Sequence, residues 1–474
     1  MSKKIGFRVI ILIISIICLF NFIMINNLYA YNKNLIPIFS KINNKMGSIL
    51  YNQIQNEKFK FKYGTLDTNY INFENSDYYG SFDIVFSNKG EYQHLFPLTG
   101  SNISIKWKDK KTGKWQKADK FPANSGQYLF VIDSSKEHYV ISPIAIYSYN
   151  NVNHTRVNKG YGGIYIENGN IKVRYLADKG EHGDLWYISS GSELFSGEKA
   201  LKELFTHNID GEKRWCFDGF YIRAKSNYEP YQRGMFFRNP ANYVGVSFAK
   251  YAFSRGMEDL GYAMIMTGIN NQNKYGYWQT DCIVDWLSRD YGIKEGFYDT
   301  RFNSDFAIGL IYAYKRYGND IILKSLKRYA EYFFEYAQNH SHKTANGILI
   351  EDYAPSNKKV HTSLNHHLTE LNFLYEYYNL TYDDKYLQLA NKMLKGLDDT
   401  KNYWVMKNHN LAYAYGYNNS SNKMVDYPYL TYNDLYETKF LLERYFKATN
   451  TTIEYLMKNK KIWMDKNGIT QYRK

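Results

Sequence analysis

Two carboxylates beside a phenol, Glu351-Asp352-Tyr353, stand shortly before Leu364-Asn365, where an apolar helical pattern begins. A second set repeats the theme, with Asp426-Tyr427 followed by Asn433 and Leu435. In both, a tyrosine sits on a polar segment just ahead of a helix. A phenol so placed can give or take a proton, and two of them can address one carbon from opposite faces, as inversion of a C–H centre requires. An unperturbed phenol titrates at about 10, so a phenol acting as base needs cationic neighbours that lower it. Asp352 is then a candidate base, or a clamp for a phenol. Arg301, following Asp299-Thr300, is the candidate for gripping a carboxylate, which a guanidinium does in two parallel bonds.

Other constellations compete poorly. His361, His366 and His367 suggest a metal site, but His366-His367 are neighbours on one helix and point apart. They are expected at the start of an amphipathic helix, and no metal or other cofactor is expected. Asp281, Asp285 and Asp290 surround Trp286 and would suit an acid pair for glycoside hydrolysis, although a solvated helix face is the preferred reading.

Positioning these groups requires helices. From about residue 251, apolar residues recur with helical spacing: Phe306, Leu310, Ile311 and Tyr314, then Leu323, Leu326, Ala330 and Phe333. Leu364, Leu368, Leu371 and Tyr375 pair with Tyr386, Leu389 and Met393, and Leu441, Leu442 and Tyr445 with Ile453, Leu456 and Met457. Polar turns at 318–320, 381–384 and 449–452 divide the pairs, each ending on Asp or Thr as an expected N-cap. The longer polar segments between pairs carry the tyrosine motifs. Residues 251–474 are therefore predicted to form an α/α toroid (barrel), a closed or open ring of helix pairs with those segments around one mouth.

Residues 63–250 keep to the two-residue period of strands instead. Phe82, Ile84 and Phe86 alternate with small or polar residues, as do Ile103, Ile105 and Trp107 ahead of a turn at 111–114. Ile164-Tyr165-Ile166, Asn168-Gly169 and Ile171, Val173, Tyr175 read as a hairpin with a two-residue turn. The fold class is multidomain α+β, with a β-rich domain ahead of the helices. Residues 1–30 look like a signal peptide or membrane anchor: Lys3, Lys4 and Arg8 precede an uncharged run from Val9 to Ile25, and Leu28-Tyr29-Ala30 fits a cleavage site. Residues 31–62 are then a tether, and the chain is expected to be secreted or membrane-anchored on the extracytoplasmic face. Cys216 and Cys282 are left either to pair or to remain buried thiols.

The net charge of +14 favours an anionic partner. Without a recognition module or a dense Lys/Arg block, nucleic acid is not that partner, and an anionic polysaccharide is. The chain holds 49 tyrosines, a surplus that suits sugar-stacking clefts and that codon bias towards Lys, Asn, Ile and Tyr also explains.

Over roughly residues 290–474 the chain resembles the D-glucuronyl C5-epimerases, which carry an acidic pair plus tyrosine, a spacer and Leu-Asn, and further on Asp-Tyr with Asn-x-Leu. Tyr413 best matches the tyrosine the family places between those motifs, with Tyr415 and Tyr417 close by. This sequence departs from the family in having Asp352 in place of Glu, Asn365-His366 in place of Asn-Gly, and no arginine closely following Tyr413. The resemblance implies an isomerase that epimerises uronic acid residues at C5 in an anionic polysaccharide, by tyrosine-assisted proton abstraction and return. It implies Tyr353, Tyr427, Tyr413 and Asp352 as catalytic groups, Tyr413 donating to the carboxylate or ring oxygen. Glu351, Asn365 and Asn433 are expected to bind substrate alongside Arg301. A polysaccharide lyase begins with the same proton abstraction, a hydrolase would cleave without it, and a non-catalytic glycan-binding module would use the tyrosines only for stacking.

Overall fold

The computed structural model describes residues 78–150, 155–195, 197–206, 213–216, 219–223, 235–239, 255–417 and 425–473, together with strands at 42–45, 58–61 and 65–72. The expected signal or anchor segment, residues 1–30, lies outside them. Among the described residues no helix is long and apolar enough to cross a membrane.

The β half is built on a large antiparallel sheet and a smaller four-stranded one. Three strands of the large sheet feed two cores, because successive side chains point to opposite faces. On Tyr78–Val85, Phe82 and Ile84 face the small sheet while Tyr79 faces the helices. On Phe130–Asp133, Phe130 and Ile132 go one way and Val131 the other. Glu181–Ser190 does the same with Leu185 and Tyr187 against Trp186 and Ile188. The sheet is therefore a middle layer, apolar on both sides. The expected hairpin is present as Gly163–Glu167 and Asn170–Ala177, with Glu167 opposite Asn170 and positive φ at both Asn168 and Gly169.

Two strands, Ile42–Lys45 and Lys58–Phe61, fall inside the stretch expected to be tether and pair with Thr65–Asn72 and Gly90–Pro97. A helix, α1 (Glu198–Thr206), interrupts the β half. Cys216 and Cys282 are both buried free thiols, which closes the alternative of a bridge between them.

The helical half starts with α2 (Arg255–Asn270) and α3 (Asp285–Tyr291). Three hairpins come next: α4 (Thr300–Tyr317) with α5 (Asp320–Asn339), α6 (Leu364–Thr381) with α7 (Asp384–Trp404), and α8 (Leu430–Phe446) with α9 (Thr451–Lys466). Each predicted pair is present. The caps lie earlier than the sequence suggested: Asn319, Asp383 and Asn450 accept the first free amides of α5, α7 and α9. Their side chains are short enough to reach back to the N2 or N3 amide, which satisfies donors the helix itself leaves open. Helices α4, α6 and α8 pack in a row, with α5, α7 and α9 outside them, so the wall is an arc of layered hairpins. Helix α6 sits mid-row and is buried on every side from Leu364 to Tyr377, including Asn365, His366, His367, Glu370 and Asn372. A helix so enclosed reads as apolar all round, and its buried polar residues stand out as unusual.

Candidate functional site

Short backbone pairings draw the tyrosine segments together. Tyr353–Ala354 runs antiparallel to Phe297–Asp299, with Tyr353 opposite Asp299. Thr362–Ser363 runs antiparallel to Ala414–Tyr415, and the Leu364 amide donates to the Tyr413 carbonyl at 3.0 Å. Ala412 bridges Val425, and the Asp426 amide donates to the Leu411 carbonyl at 3.2 Å. The Asp352 amide donates to the His361 carbonyl at 3.0 Å, closing the loop between the first motif and its helix. Loops otherwise free to spread are thus stitched into one patch at the end of the inner helices.

The rings converge accordingly. Tyr413 and Tyr427 meet edge to face with centroids 5.8 Å apart. His361 lies 5.8 Å from Tyr353, 6.1 Å from Tyr413 and 5.6 Å from Tyr417, ring to ring. Trp286 closes the group, 6.2 Å from Tyr353 and 5.7 Å from His361. Over them opens a cleft of about 540 Å³ lined by Trp286, Arg289, Tyr413, Tyr417 and Val425–Pro428. That volume lies within the ~300–1,000 Å³ usual for a small-ligand site. Tyr427 is 47% exposed and Tyr413 only 9%, while Tyr353 and His361 lie one layer beneath the cleft wall.

Asp352 is fully buried among these rings. One carboxylate oxygen accepts from the Ser363 amide at 2.9 Å. The other approaches His361 Nε2 at 3.3 Å and His366 Nδ1 at 3.9 Å, and has no hydrogen-bond partner. Burial raises its pKa, yet His366, His361 and the Ser363 side chain outweigh that and hold the carboxyl below its usual range. His361 Nδ1 and the Tyr291 hydroxyl share a 2.7 Å hydrogen bond. The phenols go the other way. Burial, with neighbouring phenols and acids, pushes Tyr353 and Tyr413 well above the ordinary value. The cationic tuning that a phenolate base would need is not what this site supplies: Tyr353 and Tyr413 hold their protons and Asp352 holds its charge. Asp299, which caps α4 at the Phe302 amide, is raised to about 7 by burial and by Asp352, and His366 is lowered to about 4 by burial.

The second motif is anchored from below. Lys460 on α9 is fully buried and lies 2.7 Å from Asp426, and it donates to Asn410 Oδ1 and to the Tyr427 carbonyl at 2.6 Å each. Burial pushes Asp426 up and Lys460 down, and their mutual attraction opposes both shifts. The pair fixes the backbone that carries Tyr427.

Four sequence-predicted binding residues take other places. Arg301 already holds Asp434 through both terminal nitrogens, at 2.6 and 3.2 Å, with Asp305 at 3.5 Å, so its fork is committed within the protein. Asn433 accepts from the Arg473 amide at 2.8 Å, which ties it to the C-terminal segment. Glu351 accepts from the Val360 amide at 2.9 Å inside its own loop. Asn365 accepts Arg301 on its backbone carbonyl, while its buried side-chain oxygen has no partner. Among the described residues no group of His, Cys, Asp and Glu is arranged to hold a metal ion.

Sequence reasoning groups His361 with the other histidines, yet it is the ring that touches Tyr353, Tyr413 and Tyr417 together. Its place within the spacer between Tyr353 and Leu364 is the signal that could have found it. Arg289 lies on α3 beside Trp286, which the sequence singles out only for its flanking acids, and Lys460 lies on the last helix; nothing in local spacing marks Arg289 or Lys460.

No protein-family model matches this chain, and neither does any curated protein. Solved structures resemble it weakly. A protein from Listeria innocua is 11% identical with a TM-score of 0.31, over 43% of this chain and 50% of that one. A family 76 glycoside hydrolase from a bovine Bacteroides thetaiotaomicron strain is 12% identical with a TM-score of 0.36, over 80% of this chain and 76% of that one. Cellobiose 2-epimerase from Bacillus thermoamylovorans is 13% identical with a TM-score of 0.34, over 47% of this chain and 57% of that one. The chain thus spans about half the length of the first. Scores this low carry no inference about chemistry, which leaves the residues around the cleft as the guide to function.

Proposed function

We propose that this protein is a carbohydrate-active enzyme that epimerises uronic acid residues at C5 within an anionic polysaccharide, at the extracytoplasmic face. The observation that carries the reading is that Tyr413 and Tyr427 line one cleft while Tyr353, His361 and a charged Asp352 lie directly beneath its wall. Loss of the C5 proton breaks a C–H bond and leaves its electron pair delocalised into the adjacent carboxyl. That anion needs hydrogen-bond donors in a water-poor place, and neutral phenols are such donors. Tyr413 faces both the cleft and His361, so the proton taken at one face passes through it toward His361 and Asp352. Tyr427, on the outer wall, returns a proton to the other face. The stored proton returns through Tyr413 to the adjoining Tyr427, which restores both groups, and the exposed Tyr427 exchanges with water. Tyr353, beneath the cleft wall, keeps the proton store dry.

Incubation with glucuronate-containing polysaccharides in heavy water, read by NMR, tests this. The expected result is deuterium at C5 with the chain intact, and its loss by a factor of ~10²–10⁴ in Tyr427→Phe, the usual weight of one proton-transfer group. An unsaturated chromophore would assign the chain to lyases. Binding without exchange would leave a glycan-binding module. One further observation favours a second reading, hydrolysis. Asp299 and Asp352 are carboxyls whose surroundings drive their pKa values apart, as in an acid and its partner. New reducing ends, with no C5 exchange, would decide for it.

A further inference from the structure

Beneath the tyrosine cleft, three polar side chains form a line that starts at the end of α3. Tyr291, the last residue of that helix, is buried, and its hydroxyl lies 2.7 Å from His361 Nδ1. The other ring nitrogen, Nε2, lies 3.3 Å from Asp352 Oδ2 without lining up for a hydrogen bond. Both ends of the line are held by backbone. The Asp352 amide donates to the His361 carbonyl at 3.0 Å. The Tyr291 carbonyl accepts from the Asn357 amide at 3.0 Å and from the Ser356 hydroxyl at 3.1 Å. Gly292 follows at φ 70°, where its amide closes α3 on the Leu287 and Ser288 carbonyls, so the helix stops with the phenol against His361. Asp352 is the acid among the groups that face the ring; the others are the Tyr353, Tyr413 and Tyr417 phenols, Trp286 and His366.

A neutral imidazole carries one N–H, and the bond made at one nitrogen decides which nitrogen that is. A proton on Nδ1 would leave the Nε2 lone pair facing the charged Asp352, which is repulsive in a buried place. A proton on Nε2 faces that charge favourably and leaves Nδ1 to accept from the Tyr291 hydroxyl. Burial raises the Tyr291 phenol well above its ordinary value, so it keeps the proton it donates.

We propose that Tyr291 is a positioning residue that fixes His361 as the neutral Nε2–H tautomer and so makes Asp352, not the imidazole, the store of the substrate proton. The inference rests on the reading of the tyrosine cleft as a C5-epimerase site. The C5–H bond breaks and its electron pair stays on the substrate. Tyr413 takes that proton as it gives up its own, and an O–H bond forms at Asp352 Oδ2. Asp352 becomes a neutral carboxyl and His361 stays neutral. An imidazolium beside Asp352 would instead lock the proton into an ion pair and slow its return.

The test begins with the wild-type full chain carrying nitrogen-15-labelled histidine, His361 being assigned by the signals lost in His361→Gln. Two-bond proton–nitrogen correlation should show one protonated ring nitrogen, Nε2. In Tyr291→Phe, which removes the hydroxyl alone, Nδ1 loses its donor and should take up a proton drawn by Asp352, giving an imidazolium signal at neutral pH. Its kcat for C5 exchange on a glucuronate polymer should fall about tenfold with KM unchanged, the effect of one hydrogen bond that acts in proton transfer. A wild-type proton on Nδ1 overturns the proposal without any variant. So does a Tyr291→Phe protein whose His361 signals or kcat match wild type, or whose KM rises while kcat holds, the mark of lost packing. If the ring signals behave as expected but wild-type protein exchanges no C5 deuterium, Tyr291 still sets the tautomer and the epimerase reading falls.

Discussion

Both halves of the molecule bury a cluster of charges among tyrosines, and the two clusters are built on opposite terms. In the β half, Arg156 donates to Asp184 at 2.8 Å and its guanidinium lies 4.1 Å from the ring centroids of both Tyr147 and Tyr221. Tyr147 donates to Asp83 at 2.7 Å, and His182 stands 3.2 Å from the same carboxylate. Charge meets charge, and the cavity beside Asp184 and Arg214 holds about 20 Å³, room for water at most. In the helical half, Asp352 meets two histidines and the Ser363 amide, one of its oxygens is unpartnered, and the cluster opens towards some 540 Å³. The lesson is that buried polarity alone does not mark a site. What separates the two clusters is open volume: each leaves one carboxylate oxygen unpartnered, on Asp83 and on Asp352, but only the helical cluster lies beneath a cleft large enough for a ligand.

That contrast is most directly broken by deleting a charge from each cluster. Even with Arg156 present, burial wins at Asp184 and holds its carboxyl above the usual range. Arg156→Leu strands that group and should cost about 3–5 kcal/mol of folding stability in urea denaturation. Asp352→Asn keeps the acceptor for the Ser363 amide and removes a charge that faces histidines rather than a guanidinium, so it should cost no more than about 2 kcal/mol, less than Arg156→Leu, while abolishing C5 exchange. If Asp352→Asn proves the more damaging to the fold, the helical cluster is structural and the comparison fails.

A smaller effect sharpens the same point through pH. Asp299 is raised to about 7 in the folded chain, so its share of stability is complete below the unfolded carboxyl pKa, near ~4, and is lost as pH climbs through 7. His366 is lowered to about 4, so its share is complete above the unfolded value, near ~6.5, and is lost as pH falls through 4. Between pH 4 and 7 the two slopes oppose each other. Asp299→Asn, which preserves the cap on the Phe302 amide, should leave melting temperatures that fall more steeply on acidification. His366→Gln should leave them falling more steeply on the alkaline side. Parallel profiles for all three proteins would mean these groups do not titrate as their burial requires.

How much of the molecule is legible in its sequence depends on the range of each signal. Strand alternation and helical spacing are local, so the β half, the Asn168-Gly169 hairpin and all three helix pairs can be read directly. The double core of the large sheet is spelled only by continuous apolar runs such as Phe130-Val131-Ile132 and Leu185-Trp186-Tyr187-Ile188, which name no partner for either face. The tyrosine motifs point to the right segments, and those segments do converge. Arg301 has the right chemistry for a carboxylate, but its partner Asp434 lies on α8, and no sequence rule announces a pairing at that separation. His361 lacks a metal partner in the sequence pattern, and its real neighbours are aromatic rings from three different segments. Whether a phenol rises or falls in pKa is likewise set by burial, which the sequence carries only indirectly.

The mildest perturbation tests whether the β half can be weakened without touching the chemistry. Gly169 has φ 70°, which L residues adopt only under strain, and a Cβ there would meet no atom within 4 Å. Gly169→Ala therefore isolates the backbone penalty from any clash and should cost about 1 kcal/mol, read as a lower urea midpoint with an unchanged slope. C5 exchange at temperatures well below the melt should match wild type, because the hairpin belongs to the small sheet, on the far side of the large one from the helices. A fall in exchange that exceeds the fall in folded fraction would show that the two halves share one energetic unit, with the β half helping to set the geometry of the cleft.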